Sequence, residues 1–182
     1  ASSFNQPLNG WDTSNVEDMS LMFCGATAFN HPLNAWNIHK VKTMECMFFQ
    51  ASSFNQLLND WNTSNVEVMS AMFAGATSFN QPLNGWNTSN AEDMKNMFRG
   101  ASAFNQPLNR WKTSKVNDMS CMFRDASAFN QPLNEWNTSK VKTSKVKTMI
   151  RMFRRASAFN QPLNGWNTSN VENMEGMFSG AS

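Results

Sequence analysis

Histidine and cysteine are the side chains here best suited to acid–base, nucleophilic or metal chemistry, and neither is arranged for it. His31 and His39 each replace a different residue in a single copy of a repeated unit, at positions held elsewhere by residues such as Gln6 and Ser14. Cys24, Cys46 and Cys121 are odd in number and fall at two different positions of that unit, so they describe no disulfide framework. His39 stands near Cys46 in one copy only, which reads as an accident of that copy rather than a ligand pair. The chain contains no HExxH, no CxxC pair, no nucleophile–base pairing and no glycine loop that could cradle phosphate. The sequence therefore predicts no enzyme, no cofactor and no metal site.

Cations are the remaining candidates, and they act by binding. The net charge of +2 predicts no general attraction to polyanions, and no nucleic-acid partner is expected, but the charge is uneven. The first four repeats carry −3, +1, −2 and 0, the fifth and sixth +2 and +6, and the seventh −2. Arg110, Lys112, Lys115 and Arg124 of repeat five, with Lys140, Lys142, Lys145, Arg151, Arg154 and Arg155 of repeat six, are the candidate interaction residues, and Arg99 extends the stripe into repeat four. A solvated face is the plain reading of the stripe. An acidic protein, an anionic lipid or a glycan is the partner it would fit. Thr138 to Lys142 is copied as Thr143 to Lys147, an insertion expected to bulge as a Lys-rich knuckle while Val146, Met149 and Met152 keep their spacing.

These residues are positioned by a tandem array. Trp11, Trp36, Trp61, Trp86, Trp111, Trp136 and Trp166 fall in one column when residues 1–25, 26–50, 51–75, 76–100, 101–125, 126–155 and 156–180 are aligned, and the fourteen methionines fill two more. Such a period marks a solenoid in which each unit buries its apolar face against its neighbours. Residues 1–182 are thus expected to form one solenoid without internal domain boundaries. It begins in phase at Ala1 and ends on Ala181 and Ser182, the first letters of another copy, which suggests a piece of a longer array. No stretch approaches the roughly 18 apolar residues of a membrane span.

Within a unit, Val16, Met19, Met22, Phe23 and Ala26 follow the spacing of one apolar helical face. Ser14 and Glu17, repeated at Ser64/Glu67, Ser89/Glu92 and Ser169/Glu172, read as a capping box. Gly25, Gly75, Gly100 and Gly180 sit where a left-handed C-cap is wanted, which brackets a helix near 15–24. The other half, Phe4 to Trp11, reads as an extended segment with a short parallel ladder around Leu8. The fold expectation is an α/β solenoid with one short strand or extended segment and one short helix per 25-residue coil, curved because strands and helices differ in spacing. Asn5 and Asn9 are constant in all copies and are expected to form ladders that satisfy turn amides. Positions 10, 12, 15, 17, 18, 20, 21, 24 and 25 vary and are the solvent-facing candidates. Asn62, Asn87, Asn137 and Asn167 begin Asn-Thr-Ser sequons. Thr13, Thr63, Thr88, Thr113, Thr138 and Thr168 form a column of the kind ice- or crystal-binding solenoids use.

The unit seen at Phe79-Asn-Gln-Pro-Leu-Asn-Gly-Trp86 followed by Met94, Met97 and Phe98 resembles the surface-protein repeat of the BspA-like leucine-rich-repeat class, which includes a mycoplasma-type lipoprotein repeat. The resemblance covers the whole chain. It implies a leucine-rich-repeat-like horseshoe, a cell-surface or secreted location, and adhesion or protein binding without catalytic residues. The functional expectation is a non-catalytic scaffold that binds through its variable columns. The alternative is a structural subunit docked in a large assembly, and binding of an ice or crystal surface is the lesser option.

Overall fold

The computed structural model describes residues 2–136 and 147–181. Among them there is no helix, and the only strand pairing consists of parallel one-residue bridges linking Asp18, Thr43, Val68, Asp93, Asp118, Thr148 and Asn173 in sequence. The expected α/β array with a helix per coil is therefore corrected. Each repeat is a chain of tight turns laid on the next.

The turns explain why a helix-like spacing yields no helix. Amides along the first repeat reach back three residues, from Trp11 to the Leu8 carbonyl, Val16 to Thr13, Cys24 to Leu21 and Ala26 to Phe23. Between these local bonds, the N–H groups of Met19, Leu21, Phe23 and Gly25 point instead at the carbonyls of Thr43, Glu45, Met47 and Phe49 in the next repeat, at 2.7–3.0 Å. The same four bonds recur at each later junction between repeats, ending with Met149 to Asn173 and Arg155 to Ser179. An α-helix would need those amides for its own i−4 carbonyls. Backbone dihedrals settle the matter, because position 21 is left-handed in every copy (Leu21, Cys46, Ala71, Asn96, Cys121, Arg151, Gly176) and so is position 25. The glycines at position 25 do occupy the left-handed region foreseen for them, with Gly75 at φ 72°, but they end turns rather than helices.

The supposed capping boxes also serve another purpose. The Oδ1 of Asp12, Asn62, Asn87 and Asn167 accepts the N–H two residues on, from Ser14, Ser64, Ser89 and Ser169. These are Asx turns, the local bond by which Asn and Asp compete with helix. Asp18, Asp93, Asp118 and Asn173 repeat the device at position 18.

Three aromatic columns form the core. Phe4, Phe29, Phe54, Phe79, Phe104, Phe129 and Phe159 stack with ring centroids 5.9–6.1 Å apart. Phe23, Phe48, Phe73, Phe98, Phe123, Phe153 and Phe178 stack at 5.3–5.7 Å, and rings of the two columns meet at 4.0–4.2 Å. Trp111 and its neighbours Trp86 and Trp136 lie 6.2–6.4 Å apart and nearly parallel. Interior methionines such as Met69, Met72, Met94 and Met97 are fully buried in the same core. Side chains at 19, 22 and 23 all reach the core because three-residue turns, not helical turns, set their spacing.

Candidate functional site

Binding chemistry in this molecule depends on which polar groups the stack leaves for a partner. Much of the uncharged polar surface is committed to the stack. The indole Nε1 of Trp36, Trp61, Trp86, Trp111, Trp136 and Trp166 each donates to the carbonyl of the Leu at position 8 in the preceding repeat, at 2.8–3.1 Å. Asn5, Asn30, Asn55, Asn80, Asn105 and Asn130 each accept the N–H of their counterpart one repeat on, at 2.9–3.1 Å. Asn9, Asn59, Asn84 and Asn134 do the same for position 10. The Asn ladders foreseen from the sequence are thus structural.

Three members of the threonine column are equally committed. Thr13, Thr63 and Thr88 are buried and donate to the carbonyls of Asn37, Asn87 and Lys112. They present no hydroxyl lattice to a surface. Thr113, next in the column and fully buried, has an Oγ1 without a partner.

The structure divides the candidate cations into two groups. Arg110, Lys112 and Lys115 lie at positions 10, 12 and 15 of repeat five, all exposed. Arg110 and Lys112 line an open hollow with Trp111, Glu135, Trp136 and Gly165, and the Lys115 Nζ donates to Asn90 Oδ1 at 2.6 Å. Arg124, Arg151, Arg154 and Arg155 lie instead on the turn at positions 21–25. There Arg99, Arg124 and Arg154 occupy position 24 of successive repeats, their carbonyls bonded by Gly75, Gly100 and Asp125. That column places one arginine on each of three consecutive repeats. Arg124 pairs with Asp125 at 3.2 Å, Arg151 with Glu175 at 2.7 Å, and the Arg154 Nε is buried with no partner. Lys140, Lys142 and Lys145, and with them the expected knuckle, fall outside the described residues. Its flanks keep register, since Lys147 bonds Asn117 and Met119 bonds Thr148.

Two pairs of opposite charges in one column escaped the sequence reading. At position 17, Lys42 bridges to Glu17 at 3.0 Å and Lys147 faces Glu172 at 3.8 Å. The Lys42 ammonium holds the Glu17 carboxyl below its usual range, and Glu17 raises Lys42 in return. Both pairs are well exposed and contribute little to stability. One signal for them was available, because opposite charges recur 25 residues apart.

The cysteine thiols are all free and partly buried, and burial pushes Cys46 up, away from thiolate reactivity. Among the described residues no group of three or more His, Cys, Asp or Glu could hold a metal ion, and no helix is long and apolar enough to cross a membrane.

The family described as "Mycoplasma protein of unknown function, DUF285" matches residues 1–67, 55–145 and 140–182. The chain belongs to that family. As three overlapping matches in tandem, DUF285 takes in the aromatic columns and the arginine edge alike. No curated protein and no solved structure matches the chain. For this DUF285 chain, the mycoplasma-type repeat named from the sequence is the part of the resemblance that stands, while the helix-bearing horseshoe does not.

Proposed function

We propose that the chain is a non-catalytic repeat scaffold that docks an acidic protein partner along the edge formed by Arg99, Arg124, Arg154 and Arg155. One observation carries the reading: the position-24 arginines of three successive repeats sit on a backbone held by main-chain bonds, so their spacing is fixed before any partner arrives. Preorganised guanidinium groups suit carboxylates, which they can grip with two parallel bonds. A cell-surface location, which the resemblance to surface-protein repeats suggests, belongs to the same proposal, and antibody against the chain should then label intact cells.

The test is binding of a poly-glutamate peptide to the 182-residue chain. Arg99→Glu/Arg124→Glu/Arg154→Glu should abolish binding, and affinity for the unaltered chain should fall as salt rises. Lys40→Glu/Lys42→Glu/Lys95→Glu removes the same number of cations elsewhere and should leave most of the binding. Equal losses from both triple variants, or no binding by the unaltered chain, would sink the proposal.

A further inference from the structure

We infer that the arginine edge carries a notch for one aromatic side chain of the acidic partner, walled by the Phe49 ring and the Arg99 guanidinium; this rests on the reading of that edge as a docking site for acidic protein. The core leaves one ring unused. Phe49 is half-buried, lies outside the core cluster and, unlike the stacked Phe48 beside it, meets no other ring among the described residues.

Phe49, Ala74 and Arg99 occupy position 24 of repeats two, three and four, on consecutive rungs of the ladder. The Gln50 amide donates to the Ala74 carbonyl and the Gly75 amide to the Arg99 carbonyl, both at 2.7 Å. Repeat three alone among the seven has nothing larger than a methyl group at positions 21, 24 and 25, which hold Ala71, Ala74 and Gly75. The longer side chains on either side therefore leave a hollow of about 270 Å³ there, lined by Phe49, Ala71, Ala74, Gly75, Asn96 and Arg99 among others. Small-molecule sites run to roughly 300–1,000 Å³, so a single side chain suits this one better.

The spacing selects an aromatic one. At position 23, the rings of Phe48, Phe73 and Phe98 stack at 5.6 and 5.7 Å per repeat. Two such steps part Phe49 from Arg99, so a ring seated over Ala74 lies one step from each wall. That is within the roughly 4.5–7 Å of stacked rings on the Phe49 side and the roughly 6 Å of a cation–π contact on the Arg99 side. Arg99 is available for it. Arg124 and Arg151 are paired with Asp125 and Glu175, whereas Arg99 forms no ion pair among the described residues. Its guanidinium can cover a ring with its face and hold a neighbouring carboxylate of the partner with its N–H groups. The ligand is therefore an acidic segment with an aromatic residue among its carboxylates.

The experiment titrates the 182-residue chain with two poly-glutamate peptides of one length, a single central glutamate being replaced by tryptophan in one and by alanine in the other. The tryptophan peptide should bind about tenfold more tightly, the combined worth of one ring stack and one cation–π contact. Ala74→Phe fills the notch and Phe49→Ala removes a wall, and each exchanges one natural occupant of position 24 for another. In both variants the preference for tryptophan should vanish while the alanine peptide binds as before, which also verifies that the edge is folded. Equal binding of the two peptides by the unaltered chain overturns the notch and leaves the arginine edge standing, whereas binding of neither sinks both. A tryptophan preference that survives in the two variants places the ring elsewhere and likewise overturns the inference.

Discussion

In the first half of each repeat, side chains satisfy the backbone of the neighbour: Asn80 receives the Asn105 amide, Asn84 the Arg110 amide, and Trp111 reaches the Leu83 carbonyl. In the second half the main chain does this unaided, through Met94, Asn96, Phe98 and Gly100 to the carbonyls of Asp118, Ser120, Met122 and Arg124. The difference decides where the chain can vary. A side chain that completes a neighbour's hydrogen bonding cannot be exchanged freely, and positions 1–9 contain no Asp, Glu, Lys or Arg in any copy. Where amide meets carbonyl directly, side chains outside the core are released, and nearly all the charges of the molecule gather there and at positions 10 and 12.

The largest effect expected from breaking this division is at the tryptophan column. Trp111→Ala removes a buried ring and its donor together, and should destabilise the stack by about 3–5 kcal/mol in urea unfolding. Trp111→Phe keeps a ring but leaves the Leu83 carbonyl without its indole, at about 1–3 kcal/mol. Next comes Asn80→Ala, which strips a partner from both the Asn105 amide and the Gln106 side chain and should cost about 2 kcal/mol. Lys95→Ala, on the main-chain half, should stay within about 0.5 kcal/mol. If the two halves responded alike, the division would be wrong.

The Trp, Met and Phe columns were legible in the sequence because burial demands the same residue in each copy, and the Asn ladders because each amide completes a neighbour's hydrogen bonding; the variable positions are not all solvent-facing, since Ser70, Ser120 and Ala74 at positions 20 and 24 are buried. The secondary structure was not legible. Val16, Met19, Met22 and Phe23 have a spacing that a helix and a run of three-residue turns share, so periodicity alone could not separate them. The deciding features were the left-handed residues at position 21, among them Leu21, Ala71 and Arg151, which no propensity scale favours there. The ladder over-determines that conformation, since the Ala71 amide bonds Lys95 at 2.8 Å. The cation stripe was visible as charge, but not its division between positions 10–15 and 21–25, which only the path of the chain reveals.

Those left-handed positions give a finer probe of the main-chain half. Ala71 has φ 53°, a conformation that glycine adopts without steric penalty. Ala71→Gly should stabilise by about 0.5–1 kcal/mol, the relief of strain exceeding the added freedom of the unfolded chain. Gly75→Ala runs the other way, because φ is 72° and a new Cβ would sit 3.2 Å from Gln50 Cγ, and a loss of about 1–2 kcal/mol is expected. Thermal unfolding of the pair measures both signs, and a stabilising Gly75→Ala would show that the ladder does not enforce the left-handed turn.

The smallest effect sharpens the comparison within a single column. Asp18 and Asp93 both occupy position 18, and each accepts the N–H two residues on, from Ser20 and Lys95. Asp18 is exposed at the end of the stack, and its bonds to Ser20 hold its carboxyl below the usual value. Asp93 lies inside, where burial first and then the carboxylates of Asp118 and Glu45 push it up despite the Lys95 amide. A raised folded value means that the native state binds the proton more tightly than the unfolded chain, so the Asp93 charge opposes folding above that value and the opposition vanishes as pH falls below the unfolded value of 3.8. Asp93→Asn keeps the turn, as Asn173 does with Glu175, and should raise the urea midpoint at neutral pH with a gain that shrinks toward acid. Asp18→Asn should have the opposite sign, because a depressed carboxyl favours the fold at neutral pH and loses that contribution as pH falls through its folded value. Equal signs for the two variants would mean that stacking like carboxylates in one column, rather than the turn each one makes, has no bearing on how far the column tolerates charge.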